Sequence, residues 1–412
     1  MNTDQNSVRR YSWYALALLT LVYVFNYLDR TIIYILLPLI KKEMAFSDLQ
    51  LALLGSMSFV IFFTILGIPF GRLADRVVRK NMIAAGLAVW SVFSGLTGFA
   101  TGFWSLLICR VMVGVGEATL GPAALSLLSD YFPPRVRATV QAVYSSGIAI
   151  GAGLAFFLGG WLGQYYGWRL AFYALGFPGL VIAILVFLLR EEPRGTTEVA
   201  ATKYTANDWK ILFKSIPLRY HYLGYGCFGL AANNLSFWGP TFLTRVYKLD
   251  LLTIGKWGGL LTLVAGVPGT ILGGYLADKF RRFGRGGRML FGGLAALIAV
   301  PFWLLFIFSG NLLLLLIANL VLLAVSLVWL GPAAADVHDF AGPQLRGLGI
   351  GVYFFAVIIA YGIGSLIIGQ VNDWLGAAVT PPNMRFSMLL CPFACLIAAL
   401  SLWRGYKTAN EM

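Results

Sequence analysis

A chain of 412 residues that is 59% hydrophobic and only 12% charged is not a soluble globular protein, since soluble domains carry about 25% charged residues. Its mean hydropathy of +0.79 points instead to a polytopic membrane protein. The formal charge of +14 does not signal nucleic-acid binding. The basic residues gather in short stretches between apolar runs, where they set topology and meet anionic lipid headgroups.

The first apolar run covers roughly residues 11–40. It is too long for a cleaved signal and lacks a small-residue cleavage site, so it is expected to remain as a span. Within it stands Asn26-Tyr27-Leu28-Asp29-Arg30. With about 20 apolar residues needed per span, eleven more stretches follow. They lie at roughly 49–71, 81–101, 104–131, 138–163, 168–190, 217–245, 251–275, 288–309, 311–335, 347–371 and 384–404. Only helices satisfy their own backbone groups in lipid, so the expected fold is all-α with twelve transmembrane helices. If the N-terminus is cytoplasmic, 22 of the 31 Lys and Arg residues fall on the cytoplasmic side, seven on the other side and two within spans. Both termini are therefore expected in the cytoplasm. A bacterial inner membrane is the expected location, from short loops and the absence of organellar features.

The polar stretch 191–216 is the longest connection and divides twelve spans into six plus six. The expected organisation is an N-terminal half, 1–190, a cytoplasmic linker, 191–216, and a C-terminal half, 217–412. Thr205 to Trp209 reads either as the start of a short amphipathic helix or as solvated linker.

An internal repeat supports the division. Gly71-Arg72-Leu73-Ala74-Asp75-Arg76-Val77-Val78-Arg79-Lys80 follows the second span, and Gly274-Tyr275-Leu276-Ala277-Asp278-Lys279-Phe280-Arg281-Arg282 follows the eighth. A second echo has Asp130 seven residues before Arg137 and Asp339 seven before Arg346. Topology explains the basic residues but not the matched Gly and Asp. A duplicated six-span unit is the expected architecture. Gly71 and Gly274 would let helices approach closely, the Asp residues would accept from a neighbouring helix N-terminus, and Arg76, Arg79, Lys80, Lys279, Arg282, Arg137 and Arg346 would pair with carboxylates. Such a cluster reads as a conformational latch rather than a substrate site.

These motifs and the six-plus-six plan resemble the major facilitator superfamily over essentially the whole chain. Asn26-Tyr27-Leu28-Asp29-Arg30 and Arg110…Gly114-Val115-Gly116-Glu117-Ala118 resemble the Spinster-type lipid transporters. The first resemblance implies alternating access by two six-helix halves around a central cavity. The second implies proton-linked movement of lysolipids or sphingoid lipids. The chain is also similar to anion–cation symporters of the superfamily. The fifth span has Gly147, Gly151, Gly153, Gly159 and Gly160 but lacks the Gly-Pro of the superfamily's antiporter motif, which leaves symport and antiport open.

Ionisable residues within spans mark functional sites by default. Asp29 and Arg30 are adjacent, so they point about 100° apart on a helix and do not share one partner. Asp29 reads as a proton-responsive carboxylate, with a static ion pair as the competing reading. Arg110 and Glu117 lie two turns apart on one face, their backbones about 10 Å from each other. Glu117 could pair with Arg30, and Arg110 could tether structure or contact substrate. The C-terminal half offers polar Asn233, Asn234 and Ser365 and aromatic Phe237, Trp238, Tyr353 and Tyr361 as candidate cavity residues. Asn233 and Asn234 either meet substrate, interrupt their helix near Gly239-Pro240, or bond helix to helix. Asp336, His338 and Asp339 are expected near the gate.

Cys109, Cys227, Cys391 and Cys395 lie in apolar runs without disulfide or metal spacing, and His221 and His338 are too few for a metal cluster. No metal, cofactor or catalytic nucleophile is expected. Gly255-Lys256 lacks the upstream Gly of a phosphate-binding loop. A channel, a membrane enzyme or a transport-dead sensor is less favoured than a transporter. The leading expectation is a monomeric proton-coupled carrier of an amphipathic lipid. The alternative is an organic-anion or drug carrier using Arg30 or Arg110 to hold a carboxylate.

Overall fold

The computed structural model describes residues 10–74, 76–133, 136–191, 208–341 and 345–411. Among them there is no strand, and helix occupies each of the twelve expected stretches. Among the described residues, nine helical stretches are long and apolar enough to cross a membrane. One of these, Thr139–Phe187, holds two expected spans on either side of Gly167, whose φ of 83° turns the chain where a side chain would be strained. The short helix Asp48–Ala52 begins with Ser47, whose hydroxyl and Gln50 close a reciprocal cap.

The chain clusters into two compact units. One takes residues 1–46 and 58–201, together with 250–259; the other takes 47–57 and 202–249, together with 260–412. The first unit is built around the 35-residue helix Arg10–Met44, which lies along the helix Arg137–Gly176. Glycine makes that contact close. A Cβ on Gly151 would stand 2.3 Å from the Val24 carbonyl oxygen, and one on Gly147 would stand 3.2 Å from that of Thr20. The glycines of the fifth span are thus a packing surface. Leu19, Val22, Leu87, Trp90 and Leu127 form part of the buried core behind it.

In the second unit, Ile216–Val246 packs against Arg346–Trp374 and Leu390–Asn410. Its largest buried side chains include Trp238, Trp303, Trp329, Tyr225 and Tyr353. Ile216–Val246 runs unbroken through Pro240. The interruption near Gly239-Pro240, one of the three readings of Asn233 and Asn234, is absent: both side chains donate to the Gly229 and Leu230 carbonyls one turn back.

Other helices do break, two of them at matching places. Phe103–Glu117 gives way at Ala118-Thr119 to Leu120–Tyr131, and Leu312–Val328 gives way at Trp329 to Leu330–Phe340. Pro122 and Pro332 cause this. A proline four residues on cannot donate to the carbonyl and crowds it. Glu117 is placed at the first of these breaks.

Gly71 and Gly274 do not serve the close approach expected of them. Among the described residues a Cβ on either would meet nothing within 4 Å. Both lie near helix ends, and the tight crossings are elsewhere. The two kinds of glycine should therefore respond oppositely to substitution. Gly151→Leu should lower the thermal unfolding midpoint of the purified protein, by overpacking worth about 1–3 kcal/mol or more. Gly71→Ala should leave the midpoint unchanged or raise it slightly, since alanine is the better helix former by roughly 1 kcal/mol.

Candidate functional site

Asp29, Arg30, Arg110 and Glu117 come together inside the first unit. Arg10–Met44 supplies Asn26, Asp29 and Arg30, and Phe103–Glu117 supplies Arg110 and Glu117. The approach of the second helix depends on Gly116. A Cβ there would stand 2.7 Å from the Gly86 carbonyl oxygen and 2.8 Å from the Trp90 nitrogen.

Arg30 donates from Nε and Nη2 to the same Glu117 oxygen, at 2.9 and 2.6 Å. Nη2 also reaches Asn26 Oδ1 at 3.3 Å. The guanidinium carbon lies 4.7, 4.5 and 5.2 Å from the ring centres of Tyr27, Phe59 and Phe63. Ring faces attract a cation most where water is excluded. Arg30 is thus neutralised by one carboxylate and wrapped by three rings.

Asp29 is oriented differently, as adjacency on a helix requires. Its Oδ1 accepts from the Ser94 hydroxyl at 2.6 Å. Its Oδ2 is buried with the Trp90 indole alongside but no hydrogen bond of good geometry. Arg110, fully buried, donates from Nη1 to the Asp29 carbonyl at 3.5 Å, while its Nε and Nη2 have no hydrogen-bond partner among the described residues. The second Glu117 oxygen is in a similar position, with Asn26 beside it but not well aligned. The cluster therefore holds one direct ion pair, Arg30–Glu117, and one buried acid, Asp29, and one buried base, Arg110, that are not directly paired.

A second charged cluster lies at one end of the same unit. Arg79 donates to Asp130 in a short contact, to Ser126 Oγ at 2.9 Å, and to Glu191 Oε1 at 2.9 Å. The Glu191 carboxylate also receives the backbone N–H groups of Arg79 and Lys80. The second unit repeats the arrangement. Arg288 donates to Asp278 at 3.1 and 2.8 Å and to Asp339 at 2.8 Å. Asp278 accepts from arginine rather than from a helix N-terminus. Asp75 lies outside the described residues. Of the remaining motif residues, Arg76 is exposed and Lys80 Nζ donates to the Phe187 carbonyl. Arg137 donates to the Ser129 and Phe132 carbonyls, and Arg346 to that of His338. Lys279 and Arg282 lie over Tyr275 and Phe283.

Sequence reasoning missed Glu191 and Arg288 as partners. A signal was present: Arg79–Asp130 and Arg288–Asp339 are both 51 residues apart. Gly121-Pro122-Ala123-Ala124 also recurs as Gly331-Pro332-Ala333-Ala334. A third cluster was missed altogether. In the second unit Arg245 binds Asp48 through two bonds of 2.5 and 2.7 Å, and Asp373 accepts the backbone N–H groups of Asp48 and Leu49.

The candidate cavity residues of the second unit separate into two groups. Phe237 and Trp238 are fully buried, Trp238 donating to the Ser365 carbonyl. Asn234 accepts from the Ser365 hydroxyl at 2.8 Å, which joins two helices. Tyr353 and Tyr361 are buried, whereas Asn233 is exposed at the surface of its unit.

The family model of the Major Facilitator Superfamily matches residues 19–365. The chain belongs to that superfamily. It is an integral, multi-pass transporter of small molecules by that membership. It is similar to an MFS-type efflux pump of Mycolicibacterium smegmatis, 28% identical over 98% of this chain and 94% of the relative. It is equally similar to protein spinster homolog 3 of Danio rerio, 28% identical over 95% of this chain and 84% of the relative. Its structure resembles the crystal structure of a bacterial homologue of the human lysosomal transporter Spinster, inward-facing and unoccupied. The TM-score is 0.87 at 25% identity, covering 98% of this chain and 99% of the other.

Removing one member of a buried ion pair strands the other and costs about 3–5 kcal/mol, whereas replacing both with apolar groups is often neutral. Glu117→Leu alone should therefore lower the unfolding midpoint of the transporter sharply. Adding Arg30→Met to that variant should recover most of the loss. Simple addition of the two effects in a double-mutant cycle would show that the pair does not hold the helices together.

Proposed function

We propose that this transporter moves an amphipathic lipid, a lysophospholipid or sphingoid-type molecule, by proton-coupled alternating access. The observation that carries the reading is the buried cluster of Asp29, Arg30, Arg110 and Glu117, because it holds charge beyond what pairing requires. In this reading Asp29 takes and releases the proton. The Arg30–Glu117 pair senses its charge. Arg110, with two unpartnered nitrogens, provides the cation for an anionic headgroup. The likeness to Spinster proteins supports a lipid of this class. The Arg79 and Arg288 clusters, with Gly71, Asp75 and Arg76 on one side and Gly274, Lys279 and Arg282 on the other, act as latches that open and close with the transport cycle. The transporter works as a monomer in a bacterial inner membrane with both termini cytoplasmic.

A second reading has its own support. The unpartnered Arg110 nitrogens would hold any carboxylate, and an efflux pump stands among the relatives. An organic-anion or drug substrate would use the same cluster.

Transport into proteoliposomes separates the two. Lysophospholipids and small organic anions are offered with and without an imposed pH gradient, to the unaltered protein and to Asp29→Asn. Gradient-driven lysolipid flux, reduced at least tenfold by Asp29→Asn, is the expected outcome. Organic-anion flux without lipid flux would establish the second reading. Lipid flux indifferent to both gradient and substitution would remove the proton from Asp29.

A further inference from the structure

Asp336 is the most isolated carboxylate among the described residues. It is fully buried on Leu330–Phe340, and neither oxygen has a hydrogen-bond partner. One turn further along the same helix, Asp339 is 41% exposed and bound to Arg288. The nearest cation has thus been drawn toward the exposed carboxylates of Asp278 and Asp339, and the buried carboxylate is left without it.

The duplication supplies an internal comparison. In the first unit Arg79 binds Asp130 and also Ser126, one turn earlier on the same helix. The turn before Asp339 carries Asp336, and in the register that matches Arg79 to Arg288 and Asp130 to Asp339 it stands where the first unit has the buried Leu127. The first unit has an apolar side chain there, whereas an acid stands in the second and Arg288 does not bind it. Packing alone does not require an acid there.

The surroundings are short of cations. Arg288 and Arg281 are the cations that act on Asp336, and Asp339 is the nearest anion. Arg281 is 56% exposed and lies 3.7 Å from Asp339. From Ile216–Val246 come the Tyr225 hydroxyl, 3.5 Å from the Arg288 carbonyl, and His221. His221 Nε2 lies 2.9 Å from the Ala333 carbonyl, one turn before Asp336. A carbonyl only accepts, so Nε2 donates there, and Nδ1 has no hydrogen-bond partner among the described residues. From Arg346–Trp374 comes Tyr353, its ring 5.6 Å from that of His221. His338, on the helix of Asp336 itself, is exposed. Three ionised carboxylates would outnumber the two arginines, and the third would be the one without water.

We propose that Asp336 is a proton-binding site, occupied while Arg288 is held by Asp278 and Asp339. When Arg288 turns from them to Asp336, the O–H bond of the acid breaks, the proton leaves to water at the exposed edge, and carboxylate and guanidinium pair. The site exchanges one proton for one ion pair. It stands apart from Asp29 and Glu117, and it does not depend on what the transporter carries.

The test reads the carboxylic acid C=O stretch by infrared spectroscopy of the full chain in lipid nanodiscs, without substrate, titrated from mildly acid to mildly alkaline. Asp336→Asn should remove one acid band that Asp29→Asn and Glu117→Gln both retain. In the double variant Asp278→Asn/Asp339→Asn, Arg288 has no competing anion and the same band should be lost at neutral pH. An unchanged set of bands in Asp336→Asn overturns the proposal. So does full retention of the band in the double variant, which alters only exposed or partly exposed side chains. Failure of Asp336→Asn to fold also counts against it, because an amide matches a neutral acid in shape and charge but not a carboxylate.

Discussion

A charge inside hydrocarbon cannot fall back on water, so its partner must be present in the fold. Arg30 shows what meeting that constraint involves. One Glu117 oxygen takes both of its hydrogen bonds to that residue, and three rings from two helices close around the guanidinium. The pair sets how the helices carrying it must stand. Gly116 must lack a Cβ for its helix to come against Gly86 and Trp90. Pro122 must break that helix just beyond Glu117. Glycine, proline and ion pair are parts of one local solution.

Set against Arg30, the remaining charges of the cluster are poorly served. Asp29 has one hydroxyl donor, and Arg110 has one long bond to a backbone carbonyl. Buried ion pairs are weak stabilisers even when complete. Incomplete ones lower stability, so their presence calls for another role. The roles proposed above, a proton on Asp29 and an anionic headgroup on Arg110, would use the donors and acceptors that pairing leaves over.

Much of this was legible in the residues. The apolar runs and the repeated Gly-x-Leu-Ala-Asp motif pointed to the all-helical fold of the superfamily, because the length of an apolar run is a local property of a sequence. Asp29 and Arg30 diverge because neighbours on a helix must. The partner of Arg79 was not legible in the same way. Asp130 and Glu191 are 51 and 112 residues away, and only the packed helices bring them to one guanidinium. The glycines were visible but their roles were not. Gly71 and Gly274, which look most deliberate, meet nothing within 4 Å among the described residues, whereas Gly116 and Gly151 hold the crossings. Cβ clearance depends on what the facing helix presents, and no local pattern encodes that. The Asp48–Arg245–Asp373 cluster escaped for the same reason.

The two units share a scaffold and differ in what they load onto it. Pro122 and Pro332 break matching helices, and Arg79 and Arg288 each gather two carboxylates. Features common to both units belong to the frame, since each copy needs them to fold. Features present once need a different explanation. The first unit alone has two acids and two arginines in mid-span. The second unit has in their stead an Asn234–Ser365 bond and a lining of tryptophan and tyrosine. Hydrogen-bonded neutral groups hold a helix pair at low electrostatic cost, so the second unit keeps its middle packed without buried charge. Asp336, an ionisable group with no counterpart in the first unit, stands beside the arginine that the frame already provides. A proton there would change which carboxylates that arginine can hold and would leave the rest of the shared frame as it is.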